Sequence, residues 1–117
     1  MQITGTWKSS AGSTLEIQEK DGVLSGTYQL KSDEAGTKHK IIGSIDPDDS
    51  PKVRPLSFSV AWTDADGNSV HSVTAYTGQL NAKKETPNIE VIFMIANDKT
   101  PLWNGTGISY DNFSPAE

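Results

Sequence analysis

The feature that most constrains this chain is a regular succession of short segments in which apolar and polar residues alternate, separated by turns rich in Gly, Pro and Asp. Alternation with a period of two is typical of β-strands with one buried face. Ala- or Leu-rich windows of helical length are missing. We predict eight strands, at about residues 4–9, 13–19, 23–30, 38–46, 54–63, 69–79, 87–96 and 104–113.

Tight connections between these segments predict a meander. Asp21-Gly22 and Asp66-Gly67 are residue types that tolerate the positive φ angles of hairpin tips. An open meander would leave an unpaired edge at both ends, and closure into a barrel removes both edges. The predicted fold class is therefore all-β, an eight-stranded antiparallel up-and-down β-barrel, with residues 1–117 as one domain. A barrel of eight strands has room for one small ligand.

Charge and composition narrow the classes of function. Ten Lys and Arg against fifteen Asp and Glu give a net charge of −5, and the basic residues are scattered, so we expect no nucleic-acid partner. No apolar run approaches the ~20 residues of a membrane helix, so we expect no membrane partner. The absence of Cys excludes disulfides, thiolate nucleophiles and Cys-based zinc sites, and it leaves the redox compartment open.

Neither catalytic nor metal-binding residues are expected. His39 and His71 are far apart in sequence and lack a carboxylate pattern typical of a metal site. Although Ser72 follows His71, adjacent strand residues point to opposite faces, so this His cannot act as the base of that Ser. We expect a protein that is not an enzyme and that uses no cofactor.

Polar residues occupy one face of two predicted strands. Ser72, Thr74 and Tyr76 alternate on the sixth strand, and Trp7 and Ser9 alternate on the first. A barrel interior that needs only filling would be mostly Val, Ile and Leu. These residues either line a pocket or form the solvent face, and composition leaves both interpretations open.

Eight short motifs resemble the avidin and streptavidin family in order and near-family spacing, from residue 4 to residue 113. Each motif is weak alone, but eight in order make a specific match. They are Gly5-Thr6-Trp7, Gly12-Ser13, Ser25-Gly26-Thr27-Tyr28, Val60-Ala61-Trp62, His71-Ser72-Val73-Thr74, Gly78-Gln79, Trp103 and Tyr110-Asp111-Asn112-Phe113. The resemblance implies a barrel that holds biotin non-covalently and sequesters it.

The resemblance also assigns residues to the ureido ring of biotin. Ser13 and Tyr28 would hold the ureido oxygen together with Ser9, which stands where the family usually has Asn. Asp111 would accept one ureido N–H. The second N–H would ordinarily meet a hydroxyl, but Leu30 occupies that position and cannot accept.

The rest of the ligand would meet three further parts of the chain. Thr74 falls where the family hydrogen-bonds the thioether sulfur, and Ser72 where it meets the valerate carboxylate. The loop from Lys31 to Thr37, which includes Ser32 and the acidic Glu34, would close over the ligand.

An aromatic box is where the sequence departs most from the family. Trp62 and Trp103 are retained, whereas Tyr76 and Phe93 stand at two positions that are Trp in streptavidin. We expect weaker binding than in streptavidin, with altered specificity as the competing interpretation. In tetrameric relatives the Trp equivalent to Trp103 caps the ligand of a neighbouring subunit, so the resemblance implies a homotetramer. The alternative interpretation is that Trp103 packs in the core of its own subunit.

Two other functions remain open at this stage. The barrel could be an interaction or inhibitor module with a vestigial pocket, which Ser9 and Leu30 favour, or a carrier of a different small ligand. We expect a secreted or periplasmic location, although a removed signal peptide would leave no trace in this sequence.

Overall fold

The chain folds into a closed barrel of eight antiparallel strands in which each strand pairs with the next and the last pairs with the first. The computed structural model describes residues 2–32, 37–82 and 85–116. The strands are β1 (Gly5–Ser9), β2 (Thr14–Lys20), β3 (Val23–Gln29), β4 (His39–Ile45), β5 (Val53–Thr63), β6 (Ser69–Asn81), β7 (Asn88–Asn97) and β8 (Gly107–Pro115). This confirms the predicted fold class.

The connection between β7 and β8 differs from the prediction. A strand was expected from residue 104, but Leu102–Asn104 form a short 3-10 helix and β8 begins at Gly107. Local hydrogen bonds hold this turn, because Asn104 N–H donates to the Pro101 carbonyl at 3.0 Å and the Asn97 amide donates to the Gly105 carbonyl at 3.1 Å. These bonds remove the segment from the sheet ladder.

Within the described residues, no helix is long and apolar enough to cross a membrane.

The barrel interior is apolar along most of its length. Inward positions alternate with outward ones, so that Leu15 and Ile17 on β2 are fully covered while Glu16 and Gln18, each following one of them, face outward. Other buried apolar residues lie just before β1 and on the other strands: Ile3, Leu24, Ile41, Leu56, Val60, Leu80, Ile89, Val91 and Phe113.

A buried ion pair lies at one end of the barrel. Arg54, 1% exposed, donates to both carboxylate oxygens of Glu19 at 3.1 and 2.9 Å. It also donates to the carbonyl of Asp46 at 3.2 and 2.7 Å. Arg54 is eight residues before Trp62 on β5, which places it about 26 Å away along the strand. The end of the barrel at Trp62 is therefore the opposite one.

Gly26 allows β2 and β3 to approach closely. Its φ is +147°, and a Cβ at this position would collide with the Glu16 carbonyl. The close approach fixes the register that pairs Tyr28 with Leu15 on one side and with His39 on the other. Tyr28 is thereby directed into the barrel.

Candidate functional site

A cavity of about 490 Å³ occupies the end of the barrel near Trp62. Nine of the residues proposed from sequence line it: Ser13, Tyr28, Leu30, Trp62, Ser72, Thr74, Tyr76, Phe93 and Asp111. They come from five strands and from residues beside two strands, so the closed sheet brings together side chains that are far apart in the chain. A cavity of this size suits one small molecule.

The polar face of β6 points inward. Thr74 is 2% exposed and Tyr76 is 4% exposed, and Ser72 lines the cavity above them. Trp7 and Ser9 are also buried. Of the two interpretations left open by the sequence, the lined pocket is therefore correct for β6, whereas Trp7 and Ser9 are buried without lining the cavity.

Two hydroxyl groups meet at one wall of the cavity. Ser13 and Tyr28 are both buried, and both line the cavity. Ser9 lies behind them, where its Oγ accepts the backbone N–H of Ser13 at 2.9 Å. Ser9 does not line the cavity; its contact holds the turn that carries Ser13.

Asp111 presents a carboxylate to the same cavity. Its Oδ1 accepts the Ser10 hydroxyl at 3.0 Å and the backbone N–H of Asn112 at 2.8 Å. Among the described residues, both of these hydrogen bonds end on Oδ1, so Oδ2 is the oxygen left to accept from a ligand. The two bonds fix the carboxylate plane before any ligand arrives.

Trp62 and Thr74 are joined directly. The indole Nε1 donates to Thr74 Oγ1 at 2.8 Å. Because this bond uses a lone pair of the hydroxyl oxygen, the O–H of Thr74 remains available as a donor. The bond fixes the indole against one wall and leaves a hydroxyl donor beside it.

Aromatic rings form a continuous wall around these polar groups. Tyr76 stacks on Phe58 at 4.7 Å and on Tyr28 at 5.5 Å between ring centroids, and it contacts Phe93 at 5.3 Å. Tyr28 meets Trp62 edge to face at 5.7 Å. Such packing fixes the rings and leaves an apolar surface toward the cavity.

Both cavity tyrosines are held in the neutral form. Burial raises the pKa of Tyr28, and hydrogen bonds to Ser13 and Tyr76 oppose that rise without cancelling it. Burial also raises the pKa of Tyr76, with the neighbouring Tyr28 and Asp111 acting in the same direction. Tyr28 is consequently an O–H donor at neutral pH.

Five further residues line the cavity without having been predicted from sequence: Ala11, His39, Thr63, Val70 and Ile95. Val70 and Ile95 continue the inward alternation of Ser72 and Phe93, so a strict period of two would have found them. Thr63 could not be found this way, because an irregularity between Ala61 and Thr63 breaks the pairing of β5 with β6.

Three proposed ligand residues do not line the cavity within the described part of the chain. Besides Ser9, these are Ser32, which is exposed in a turn, and Trp103, which is 75% exposed in the 3-10 helix. The alternative interpretation, in which Trp103 packs in the core of its own subunit, is therefore wrong. Glu34 lies outside the described residues.

The imidazole of the second histidine does not line the cavity. His71 is exposed and lies 3.5 Å from the Ser69 hydroxyl, whereas Ser72 faces the cavity. The predicted separation of His71 from Ser72 is confirmed. Across residues 2–32, 37–82 and 85–116, no group of three or more His, Asp or Glu side chains could hold a metal ion.

The outer surface of β6, β7 and β8 carries exposed apolar side chains. Met94 pairs with Ile108, and Ile92 pairs with Tyr110 across β7 and β8. Val73 on β6 adds to this surface, which we call the β6–β8 outer face. Exposed apolar surface of this kind is typical of interaction sites.

A comparison with protein-family models gives a match. The family model described as the Avidin family matches residues 1–116, which is nearly the whole chain. A search of the curated proteins finds no match.

Proposed function

The chain belongs to the avidin family, and from that premise we propose that it binds biotin non-covalently inside the barrel and sequesters it. Proteins of this family are non-enzymatic ligand-binding proteins, so the chain is not an enzyme. The barrel, the cavity and the family are consistent with a ligand-binding role.

The observation that carries the proposal is the convergence of Ser13, Tyr28 and Asp111 on one cavity. A cyclic urea presents one carbonyl oxygen, which needs donors, and two N–H groups, which need acceptors. The hydroxyls of Ser13 and Tyr28 supply donors, and Asp111 supplies an acceptor. Because all three side chains are buried, each hydrogen bond is stronger than it would be in water.

The remaining lining suits the rest of biotin. The free O–H of Thr74 can donate to the thioether sulfur, and Ser72 can donate to the carboxylate nearer the mouth. Between these groups, Trp62 and Phe93 offer apolar walls to the bicyclic ring.

We propose that binding is weaker than in streptavidin. Tyr76 and Phe93 have smaller rings than the Trp residues they replace, which costs roughly 1 kcal/mol or more per ring from lost apolar contact. Leu30 lines the cavity without an acceptor, and Ser9 is engaged by the Ser13 N–H rather than by the cavity. A carrier of a different small ligand is the second candidate, because these changes alter the shape and polarity of the site.

We further propose that four copies assemble through the β6–β8 outer face. Its exposed side chains, including Ile92, Met94 and Ile108, need a cover, and a second copy of the same surface supplies one. Trp103 is exposed and does not line its own cavity, so it is available to reach the cavity of a neighbouring subunit. The expected secreted or periplasmic location stays a prediction.

Calorimetry with biotin on the purified, ligand-free protein tests the proposed function. We expect an exothermic titration with one biotin per chain. Asp111→Ala should weaken binding at least tenfold, because it removes a charged acceptor from a buried site. Asp48→Ala is the matched control, since Asp48 lies on the exposed loop between β4 and β5.

Two results would count against biotin as the ligand. Absence of heat at millimolar biotin would exclude it, and equal binding by wild type and Asp111→Ala would show that biotin is bound elsewhere. Native mass spectrometry of the purified protein identifies a co-purified ligand if the second candidate is correct.

A further inference from the structure

One residue on β6 has a backbone conformation that strands do not ordinarily contain. His71 has a φ of 57°, in the left-handed region that favours glycine. Among the described residues, Asp21 is the other non-glycine residue with a positive φ, and it lies in the hairpin turn between β2 and β3, where this conformation is expected. His71 lies within a strand, so a turn does not explain it. Strained backbone conformations of this kind cluster at active sites and ligand-binding sites.

The conformation of His71 belongs to an irregularity in the pairing of β5 with β6. The pairing is regular as far as Ala61 and Val73, and it resumes at Thr63 and Ser69. One residue on β5 therefore lies opposite three residues on β6, and His71 is the middle one of the three. Such a bulge bends the strand and changes the direction of nearby side chains, and bulges are frequent beside active sites.

The bulge changes which side chains face the cavity. Trp62 lines the cavity, so a regular strand would direct the next residue, Thr63, to the outside. Thr63 nevertheless lines the cavity, as does Ser72 on the bulged strand. Within residues 2–32, 37–82 and 85–116, the side chains of Thr63 and Ser72 make no hydrogen bond. Two unengaged hydroxyls from neighbouring strands therefore lie beside Trp62.

Local hydrogen bonds hold the bulge and the hairpin next to it. The backbone N–H of His71 donates to the Ser69 hydroxyl at 3.0 Å. In the hairpin, Asp64 Oδ1 accepts the backbone N–H groups of Asp66 and Asn68, both at 2.9 Å. The segment that carries the two hydroxyls is therefore held in one conformation before a ligand arrives.

We propose that His71 is a positioning residue whose left-handed backbone turns Thr63 into the cavity, where Thr63 and Ser72 together donate to the carboxylate of the ligand. The inference rests on the proposed function and adds to it a specificity-determining residue, Thr63. A carboxylate accepts several hydrogen bonds, and bonds to a charged acceptor are roughly twice as strong as bonds to a neutral one. The role of His71 belongs to its backbone, because its imidazole is exposed and does not line the cavity.

The test compares biotin with the bicyclic urea that lacks the valerate tail, by calorimetry on the purified, ligand-free protein. Thr63→Val keeps the branched shape and removes the hydroxyl, so it should bind biotin about five- to tenfold more weakly and the tail-free urea equally well. Thr63→Ser returns the hydroxyl and should recover the affinity for biotin.

Biotinol, which has an alcohol in place of the carboxylate, is the comparison ligand if the tail-free urea binds too weakly to titrate. Its oxygen is a neutral acceptor, so Thr63→Val should weaken biotinol clearly less than biotin.

Variants at the bulge test the positioning role. Val is strongly disfavoured at a positive φ, so His71→Val should shift the bulge and bind biotin about five- to tenfold more weakly, without a matching loss for the comparison ligand. Gly adopts a positive φ freely, so His71→Gly should bind biotin like wild type although it lacks the imidazole. Ser69→Ala removes the acceptor of the His71 N–H and should weaken biotin in the same selective way, so it decides the question if His71→Val does not fold.

A double-mutant cycle separates positioning from other effects of the His71 substitution. In a protein that carries both Thr63→Val and Ser72→Ala, His71→Val should cause no further loss of biotin affinity, because the groups through which it acts are absent. Ser44→Val is the control, since it introduces the same side chain at an exposed position on β4, and it should bind both ligands like wild type.

The outcomes separate this inference from the proposed function. If Thr63→Val binds biotin as tightly as wild type, or weakens biotin and the comparison ligand equally, Thr63 does not hold the carboxylate. If His71→Val binds biotin like wild type, or no more weakly than His71→Gly, the backbone of His71 does not position the site. In each of these cases biotin still binds and the proposed function stands. If wild type does not bind biotin, the proposed function fails and this inference fails with it.

Discussion

The indole Nε1 of Trp62 donates a hydrogen bond of 2.8 Å to Oγ1 of Thr74. Thr74 pairs directly with Val60 in the sheet, and Trp62 follows Val60 by two residues on the same strand. This bond joins the aromatic wall of the cavity to a polar group on the next strand. It orients the ring, and it determines that the Thr74 hydroxyl acts toward a ligand as a donor. A change at Thr74 should therefore affect both the ligand and the indole.

Thr74→Val should weaken biotin binding by about tenfold. The substitution keeps the branched shape, but it leaves the Trp62 N–H without its acceptor and removes the donor to the ligand sulfur. Thr74→Ser should recover most of the affinity, because the hydroxyl returns. Thr77→Val on the outward side of the same strand is the control and should bind like wild type. Equal calorimetric affinities for Thr74→Val and Thr77→Val would contradict this role.

Phe93→Trp should raise the affinity for biotin by roughly fivefold or more. The larger ring adds apolar contact at a wall already formed by Tyr76, and roughly 1 kcal/mol of added contact corresponds to that factor. Phe93→Ala should lower the affinity. Competition between biotin and a fluorescent biotin conjugate measures both effects. A weaker Phe93→Trp variant would indicate that the cavity is shaped for a different ligand.

The free energy of unfolding should fall above about pH 10, and Tyr76 should account for part of the fall. A pKa raised in the folded state means that the folded chain binds more protons than the unfolded chain at alkaline pH. This contribution is fully present below the ordinary tyrosine pKa of about 10 and is lost as the pH rises toward the folded value.

Urea denaturation at pH 8, 9.5 and 11 measures this effect. Tyr76→Phe should reduce the loss of stability between pH 8 and 11, because Phe does not titrate. Tyr110→Phe is the matched control, since Tyr110 lies on the outer side of β8 and does not line the cavity, and it should keep the wild-type slope. Identical slopes for the two variants would exclude a contribution from Tyr76.

Glu19→Gln should destabilise the barrel by about 3 kcal/mol or more, because it leaves the Arg54 guanidinium buried without its counter-charge. Glu16→Gln is a control on the same strand: its pair with Lys38 is half exposed and should contribute less than about 1 kcal/mol. Thermal unfolding followed by circular dichroism compares the two. Similar losses of stability in Glu19→Gln and Glu16→Gln would mean that the buried ion pair between Arg54 and Glu19 does not stabilise the fold.

Ile108→Glu should dissociate the assembly, because it introduces a charge into the β6–β8 outer face. Val23→Glu changes an exposed residue on β3, away from this face, and should leave the mass unchanged. Light scattering after size exclusion measures the mass directly. A monomeric wild type, or an Ile108→Glu variant with the mass of four chains, would contradict assembly through this face.

Alternation made most of the fold and the cavity predictable from sequence. Thr74 and Tyr76 share a face because strand residues two apart always do, and closure of the barrel turns that face inward. Family resemblance then added residues, such as Asp111, whose partners lie about 100 positions away in the chain.

The remaining features depend on contacts that alternation does not describe. The irregularity after Ala61 brings Thr63 into the lining beside Trp62. Ser9 matches the family position, yet its oxygen accepts the backbone N–H of Ser13. His39 faces the cavity because of its register with Tyr28, which a single sequence does not give.

The most direct test of the central claim is a crystal structure of the protein soaked with biotin. We predict the bicyclic ring inside the barrel, with the ureido oxygen about 2.7–3.0 Å from the hydroxyls of Ser13 and Tyr28 and one ureido N–H on Asp111. An empty cavity at saturating biotin, or a ligand whose ureido group lies away from these three residues, would contradict the account.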